Sequence, residues 1–191
     1  MIEIEMKFVV ADLKQLRQKL LGLQAVAEPI EQHVDAYYRH PCRDFVTTGE
    51  VLRIRRVNGR PSVTYKGPRE PSADGENTAV KVRKELEWPL SPGDRDGSKM
   101  ALLLDQLGFT KVAEVPKRRE PFEVLHGGRQ LTVTIDTVDD LGVFAEVECM
   151  AEADPDREAA VRAIEEIAKK LALSEPELRS YLRMKLEQQG R

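Results

Sequence analysis

The 191-residue sequence has few aromatic residues, no excess of charge of either sign and no long apolar run. Aromatic side chains make up only 5% of it, which argues against an RNA-binding module that stacks bases on exposed rings. The 30 basic and 33 acidic residues leave a formal net charge of −3, so no field of one sign would attract nucleic acid. No apolar run approaches the roughly 20 residues that cross a bilayer. We therefore expect neither a nucleic acid nor a membrane as partner.

Cysteine and histidine are also scarce, and their spacing does not suggest a zinc site. Cys42 and Cys149 lie far apart in the sequence. The histidines, His33, His40 and His126, form no pair at the spacing of zinc ligands. No disulfide is implied, so a reducing compartment is expected. The first predicted strand starts directly after the initiator methionine and leaves no room for a leader, which also favours the cytoplasm.

Apolar residues make up 41% of the chain, and their spacing predicts both strands and helices. Alternating patterns predict nine strands, over about 2–10, 33–39, 50–58, 61–67, 79–90, 111–119, 121–126, 130–138 and 143–151. Helical spacing predicts helices over about 12–22, 98–108 and 154–173, the third capped by Asp154, and a last helix from Ser174 to Leu186. The stretch from Pro68 to Asn77 is predicted to be a loop. Because no linker divides the chain, we expect one α+β domain over residues 1–191, with helices around an antiparallel sheet or barrel.

Charged residues recur at every second position along several predicted strands, and this is the main signal in the sequence. Alternate residues of a strand share a face, so Glu3, Glu5 and Lys7 project together. The same holds for Arg53 with Arg55, for Arg83 with Glu85 and Glu87, for Lys117 with Arg119, and for Glu146 with Glu148. Such faces could lie in water, as in many antiparallel sheets. Because they carry few Ser, Thr or Gln residues, we favour a closed barrel whose lumen holds the charges.

The chemistry of such a lumen follows from its residue types. The glutamate pairs on two strands offer hard oxygen ligands, which suit Mg²⁺ or Mn²⁺ better than zinc. Lysine and arginine offer the positive surface that phosphate oxygens require, and arginine can bind them with two parallel hydrogen bonds. Acids and bases around one cavity are typical of a site for a metal and a polyphosphate. The sequence contains no Walker-type loop, kinase signature or Ser/His/Asp set that would indicate another chemistry.

The order of these motifs resembles a known superfamily. The segment Glu3-Ile4-Glu5-Met6-Lys7 is similar to the E-x-E-x-K motif of the CYTH superfamily, the triphosphate tunnel metalloenzymes. Further matching segments follow in order over nearly the whole chain: Asp35 to Tyr38, Leu52 to Arg56, Thr64 to Pro68, Arg83 to Glu87, Lys117 to Arg119, Asp136, Leu141 to Glu148, and Arg179 to Tyr181. The resemblance implies an eight-stranded antiparallel β-barrel, the triphosphate tunnel, with helices packed on its outside. Because nine strands are predicted, one of them, such as 121–126, is expected to be a hairpin extension or to merge with a neighbour.

The resemblance also implies roles for the luminal residues. Metal would be held by acidic residues of the lumen, namely Glu3, Glu5, Glu85, Glu87, Asp136, Glu146 and Glu148. Glu85 and Glu87 could instead pair with arginines. Asp136 could instead orient one of the cations. Phosphates would be bound by Lys7, Arg53, Arg55, Lys66, Arg83, Lys117 and Arg119. Lys7, Glu5 and Arg119 would be the catalytic residues. No general base is identified, and Lys7 and a metal-bound hydroxyl are the two candidates. The implied cofactor is Mg²⁺ or Mn²⁺, and a homodimer is a further expectation from the resemblance.

The implied activity is chemistry on a triphosphate, and three alternatives stay open. The segment from Tyr38 to Phe45 is similar to class IV adenylate cyclases, which would convert ATP to cyclic AMP and pyrophosphate. A triphosphatase acting on tripolyphosphate or thiamine triphosphate would use the same charged lumen and release orthophosphate. A non-catalytic polyphosphate-binding module is the third alternative, which the metal-ligating glutamates disfavour.

Overall fold

The computed structural model describes residues 2–68, 79–152 and 156–190. Their strands are β1 (Ile2–Val9), β2 (Val26–Ala27), β3 (Glu31–Arg39), β4 (Val51–Val57), β5 (Arg60–Lys66), β6 (Lys81–Arg83), β7 (Glu85–Pro89), β8 (Thr110–His126), β9 (Arg129–Val138) and β10 (Gly142–Ala151). Their helices are α1 (Leu13–Gly22), α2 (Phe45–Thr48), α3 (Ser98–Gln106), α4 (Asp156–Lys170) and α5 (Tyr181–Gln188). No helix among the described residues is long and apolar enough to cross a membrane.

The strands form one antiparallel sheet that curls into a nearly closed barrel. The order around the wall is β6-β1-β10-β9-β8-β3-β4-β5-β7, and the short β2 pairs with β8 off this path. β6 and β7 are adjacent in the chain, separated only by Lys84, so this segment joins the β1 edge to the β5 edge. Counted as one interrupted strand, β6 and β7 complete eight wall positions. The expected antiparallel tunnel is therefore confirmed.

Two predicted strand patterns differ in extent in the structure, one by the merger expected for 121–126 and one by a division. The separate strands expected over 111–119 and 121–126 form the single strand β8, because Pro121 takes a place in the ladder opposite Thr134 without interrupting it. The strand expected over 79–90 is divided at Lys84, whose carbonyl accepts a hydrogen bond of 2.9 Å from the Gly67 N–H. The division lets one segment pair with two different neighbours.

The outward faces of the barrel are apolar and carry the helices. α4 packs against β1, β9 and β10, and together with α1 it buries a continuous core. Its fully buried members include Ile4, Leu20, Val133, Ile135, Val147, Ile164 and Ile167. α3 covers a smaller cluster around Ile54 and Leu104. Because the apolar side chains are used outside the barrel, the polar positions of the same strands turn inward.

The chain after α4 adds an extended segment before α5, which corrects the helix predicted from Ser174. Phe8 and Pro176 form a β-bridge, and the Glu177 N–H donates to the Lys7 carbonyl at 2.7 Å. A residue before proline is biased away from helix, which favours this extended path over the predicted cap. The helix begins instead after Ser180, whose hydroxyl accepts a hydrogen bond from the Arg183 N–H at 3.1 Å. The predicted Asp154 cap and most of the predicted Pro68–Asn77 loop lie outside the described residues.

Candidate active site

A cavity inside the barrel collects almost all the predicted site residues. It encloses about 700 Å³, including its open mouth. Its lining contains Glu3, Glu5, Lys7, Arg53, Arg55, Lys66, Arg83, Glu85, Lys117, Arg119, Glu146 and Glu148, together with Tyr37, Val51, Lys81, Ser180 and Tyr181. Of the predicted set, Glu87 and Asp136 are not among the lining residues. The charged faces thus point into a shared lumen and not into bulk water.

The pairing register explains why these side chains meet. On β1, Glu5 lies opposite Glu148 of β10 and opposite Lys81 of β6. Lys7 lies opposite Glu146. Directly opposed residues in an antiparallel pair point to the same side of the sheet, with Cβ atoms about 4.5–5.5 Å apart. The E-x-E-x-K spacing therefore builds one longitudinal row of the lumen, and its neighbours build the adjoining rows.

One part of the lumen is an acidic cluster suited to a divalent cation. Carboxylate oxygens of Glu3, Glu5 and Glu148 all lie within 4.8 Å of one another. Carboxylate oxygens are the ligands preferred by Mg²⁺ and Mn²⁺. Two lysines lie beside the cluster: Lys66 Nζ is 2.5 Å from Glu3 Oε2, and Lys81 Nζ is 3.0 Å from Glu5 Oε1. The donor set fits a hard divalent cation, and Glu3, Glu5 and Glu148 are the residues that would hold it.

The three carboxyls of the cluster differ in ionisation. Burial, together with the neighbouring carboxyls, raises the pKa of Glu3 to about 8. Burial and the neighbouring Glu146 and Glu5 likewise raise the pKa of Glu148 to about 7. Burial opposes the ionisation of Glu5 as well, but Lys81 and Lys66 outweigh it and lower the pKa of that carboxyl to about 2. Burial disfavours the charged form of all three carboxyls, and at Glu5 the adjacent lysines reverse that effect.

A second part of the lumen is cationic and is organised around Asp136. This carboxylate is fully buried and accepts hydrogen bonds from Lys117 Nζ at 2.8 Å, Arg119 Nε and Nη2 at 2.7 Å each, and Tyr181 Oη at 3.0 Å. Burial opposes its ionisation, but Lys117 and Arg119 hold its pKa below the usual range. With its oxygens used in this way, Asp136 orients the two cations. That position matches the cation-orienting alternative for Asp136 better than the metal-ligand one.

Asp35 organises another pair of cations in the same manner. Arg55 donates to its two oxygens at 2.7 and 2.8 Å, in a bidentate arrangement, and Arg53 Nη1 donates at 3.3 Å. Burial opposes the ionisation of Asp35, but Arg53 and Arg55 hold its pKa well below the usual range. In the sequence, Asp35 belongs to one of the segments that resemble the superfamily, but no role was predicted for it. Two buried aspartates thus fix four of the predicted phosphate ligands.

Lys7 lies at the end of the cavity where the C-terminal segment crosses it. Its side chain is buried, and Nζ donates to the Arg179 carbonyl and lies 4.1 Å from the centre of the Tyr181 ring. Burial and the nearby Lys81 lower the pKa of Lys7 to about 8. An ammonium with this pKa can give up its proton near neutral pH more readily than an ordinary lysine. Tyr181 closes the cavity here, a role that strand patterns cannot reveal because α5 is distant in sequence.

Three predicted acids have partners other than the acidic cluster. Glu146 pairs with Arg119, and this pairing outweighs burial and lowers the pKa of the carboxyl to about 2. Glu85 lies 2.8 Å from Lys66 Nζ. Glu87 is exposed and accepts a hydrogen bond of 2.7 Å from Thr64 Oγ1. The structure therefore does not bring Glu87 to the cavity.

Lys81 is a charged luminal residue that the sequence analysis did not select. It is 4% exposed and belongs to the same inward row as Arg83, two residues further along β6. Lys81 lies two residues before Arg83, so the alternation that grouped Arg83 with Glu85 also predicts an inward position for Lys81. The strand predicted over 79–90 already contained Lys81, so the signal was present in the sequence.

Comparisons with known proteins agree with this geometry. The CYTH domain family matches residues 1–181. A protein of Methanocaldococcus jannaschii named as a putative adenylate cyclase is 30% identical over 189 residues, covering 97% of this chain and 99% of that protein. The PH1819 protein of Pyrococcus horikoshii has a solved structure with a TM-score of 0.81 and 37% identity, covering 97% of this chain and 99% of that one.

A more distant solved structure has the same fold. It is a Hippeastrum protein named as a putative adenylyl cyclase and described as having a dominant triphosphatase activity. Its TM-score is 0.63 at 18% identity, covering 99% of this chain and 96% of that one. On the family match and the full-length similarity, this chain belongs to the CYTH family, whose members act on triphosphates.

Proposed function

We propose that this protein is a metal-dependent class IV adenylate cyclase that converts ATP to cyclic AMP and pyrophosphate. The observation that carries the proposal is the juxtaposition, in one lumen, of the Glu3, Glu5 and Glu148 carboxylates with oriented arginines and lysines. A metal-chelated triphosphate needs both kinds of group. The full-length similarity to a relative named as a cyclase supports the choice of reaction.

In this proposal the cations bind and orient the triphosphate. Arg53 and Arg55, fixed by Asp35, and Lys117 and Arg119, fixed by Asp136, present preoriented donors to phosphate oxygens. A bound Mg²⁺ or Mn²⁺ would supply charge that stabilises the transferring phosphoryl group. Glu5 would act in catalysis by helping to hold that ion, and Arg119 by stabilising the charge that develops at phosphorus.

The reaction is an in-line displacement. The ribose 3′-oxygen attacks the α-phosphorus, the bond from that phosphorus to the bridging oxygen breaks, and pyrophosphate leaves. The 3′-hydroxyl proton has to be accepted, and Lys7 is the candidate because its lowered pKa leaves part of it neutral near pH 8. Its neighbours at the closed end of the cavity, Tyr181 and the Arg179 carbonyl, fix the position of its Nζ atom.

A triphosphatase is the second candidate, and the composition of the cavity favours it. Apart from Tyr37, Val51 and Tyr181, the lining residues within the described part of the chain are charged or small polar groups. Such a lining suits inorganic tripolyphosphate, which has no base to be bound in an apolar pocket. The Hippeastrum protein indicates, by fold alone, that this architecture is compatible with that activity.

The experiment that separates the two reactions supplies ATP, tripolyphosphate and thiamine triphosphate, each with Mg²⁺ or Mn²⁺, and identifies the products. Cyclic AMP with pyrophosphate supports the cyclase, and orthophosphate release supports the triphosphatase. If none of the substrates turns over while tripolyphosphate still binds, the protein is a binding module and the enzyme proposal is wrong.

Variants test the metal ligands directly. Glu5→Gln and Glu148→Gln should each lower the turnover rate by at least about tenfold and raise the metal concentration required, because each removes an anionic ligand. The exposed Glu152, just beyond β10, supplies the control Glu152→Gln, which should behave as wild type. Circular dichroism establishes that each variant is folded. Wild-type turnover in both luminal variants would contradict the metal assignment.

A further inference from the structure

Lys66 makes an arrangement that the proposed phosphate-binding role does not explain. Its Nζ atom lies 2.5 Å from Glu3 Oε2, 2.8 Å from Glu85 Oε2 and 3.8 Å from Glu5 Oε2. The side chain is 12% exposed, so these contacts form largely out of water. Arg55 and Lys117 are held by Asp35 and Asp136, which do not line the cavity. The carboxyls that hold Lys66 line the cavity themselves.

The carboxylates that bind Lys66 overlap with the candidate metal ligands. Glu3 and Glu5 belong to the group whose oxygens lie within 4.8 Å of one another, and Glu148 is its third member. A lysine ammonium and a divalent cation compete for the same oxygens, because each is stabilised there by the same negative charge. Lys66 therefore already occupies oxygens of Glu3 and Glu5 that a divalent cation would use.

We propose that Lys66 is a positioning residue that exchanges with the divalent cation. Before the cation binds, its ammonium is held by carboxyl oxygens of Glu3, Glu5 and Glu85. When the cation binds, Lys66 gives up these two carboxylates and turns its ammonium to the phosphate oxygens of the substrate. No covalent bond changes in this exchange. The inference rests on the proposed metal-dependent function and adds to it a mechanism that couples the two ligands.

The neighbours of Lys66 indicate how the exchange could occur without a large movement. Glu85 also contacts Arg53, with Nη2 3.8 Å from Glu85 Oε1, so this carboxylate links the acidic cluster to the phosphate-binding arginines. Lys66 can keep Glu85 as a partner while it leaves Glu3 and Glu5. Its ammonium would then lie between the metal site and the cationic part of the lumen.

The exchange has a thermodynamic consequence. Without an anion, the metal must displace Lys66 from its partners, and this lowers the metal affinity. A bound polyphosphate offers the displaced ammonium new partners. It should therefore increase the metal affinity by more than the electrostatic attraction between the metal ion and the polyphosphate alone would. The coupling is reciprocal, since the metal must strengthen polyphosphate binding by the same factor.

The test measures Mn²⁺ affinity by isothermal titration calorimetry, with and without tripolyphosphate. Lys66→Met should bind Mn²⁺ at least about tenfold more tightly than wild type without the anion, because no ammonium competes. Tripolyphosphate should then improve Mn²⁺ binding by a smaller factor than in wild type. Lys66→Gln, which keeps a hydrogen-bonding group, is measured beside it in case the methionine variant folds poorly.

Two further variants separate exchange from a general effect of charge. Lys81→Met removes an ammonium from Glu5 but leaves Lys66 in place, so it should keep the wild-type coupling between the two ligands. Lys84→Met removes an exposed charge next to the barrel seam and should match wild type throughout.

The outcomes distinguish the inference from the function on which it rests. Tighter Mn²⁺ binding with reduced coupling in the Lys66 variants alone supports the exchange. Wild-type or weaker Mn²⁺ affinity in those variants, or equal changes in Lys66→Met and Lys81→Met, overturns the exchange and leaves the metal site intact. A wild-type protein that binds no Mn²⁺ even with tripolyphosphate overturns the metal site and the exchange together.

Discussion

Replacement of Asp136 by asparagine is the perturbation whose effect can be worked out in most detail. Asp136 is fully buried and receives its hydrogen bonds from Lys117, Arg119 and Tyr181. Asn has nearly the same volume and can still accept a hydrogen bond from the Tyr181 hydroxyl. The change therefore removes one negative charge and leaves Lys117 and Arg119 buried without their shared counter-ion.

The expected loss of stability is large for a single isosteric change. Breaking a buried ion pair by removing one partner costs about 3–5 kcal/mol. For a chain of this length, 1 kcal/mol lowers the Tm by about 2–4 °C, so the Tm should fall by about 6–20 °C. The low end is favoured, because Glu146 also pairs with Arg119 and gives it a remaining anionic partner.

The sign of the pH dependence follows from the ionisation of Asp136. Burial opposes ionisation, but Lys117 and Arg119 hold its pKa below the ordinary value. The stabilisation is therefore complete above the unfolded-state pKa of about 3.9 and is lost as the pH falls through the lower folded value. The difference in Tm between wild type and Asp136→Asn should stay constant from about pH 6 to about pH 8 and narrow only in strong acid.

The assay is thermal unfolding followed by circular dichroism, with and without tripolyphosphate. The anion can replace part of the missing negative charge, so it should raise the Tm of Asp136→Asn by more than it raises that of wild type. Asp139→Asn, at an exposed position just after β9, is the matched control and should leave the Tm unchanged. A Tm for Asp136→Asn within about 2 °C of wild type would refute the inference that Asp136 is the buried counter-ion of these cations.

Further predictions concern pH, the end of the tunnel and the outer core. The pKa is about 7 for Glu148 and about 8 for Glu3, so both carboxyls ionise between about pH 6 and about pH 9. Mn²⁺ affinity measured by calorimetry should therefore rise over this range. An affinity that does not change with pH would contradict the prediction. Tyr181→Phe loses the hydrogen bond to Asp136 and should cost about 1 kcal/mol in urea unfolding; no loss would mean that this bond contributes nothing. Ile164→Ala should lower the free energy of unfolding by about 2–5 kcal/mol, because Ile164 packs in the core outside the barrel. The Mn²⁺ affinity should not change. Weaker Mn²⁺ binding would contradict this and show that the outer core affects the shape of the lumen.

The luminal rows could be predicted from the sequence because strand geometry is local. Alternation fixes which residues share a face, and it correctly grouped Glu3 with Glu5 and Lys7. It could not exclude Glu87, which shares parity with Glu85. The structure separates the two because Glu85 pairs opposite Lys66 while Glu87 pairs opposite Thr64 and is exposed. The position of a side chain along the tunnel axis depends on the register between paired strands, and alternation within one strand does not predict that register.

Contacts between distant segments were the features that the sequence could not supply. Ser174 and Glu177 have the spacing of a capping box, but the chain there pairs with the end of β1 instead. The helix starts at Tyr181, whose ring then closes the cavity beside Lys7. A local capping preference contributes about 1 kcal/mol, which the backbone hydrogen bonds to β1 and the packing of Tyr181 can outweigh.

The near-neutral charge balance of the chain also holds within the lumen. A tunnel lined by cations alone would repel itself without substrate, and one lined by acids alone would not bind a polyphosphate. Here Asp35 and Asp136 lie behind the cations and compensate them, whereas Lys66 and Lys81 lie beside the acids. The partners of the two aspartates are arginines, a lysine and a tyrosine, whereas Lys66 contacts carboxylates that a metal ion could bind. Lys66 is therefore the member of this charge balance that is able to respond to binding.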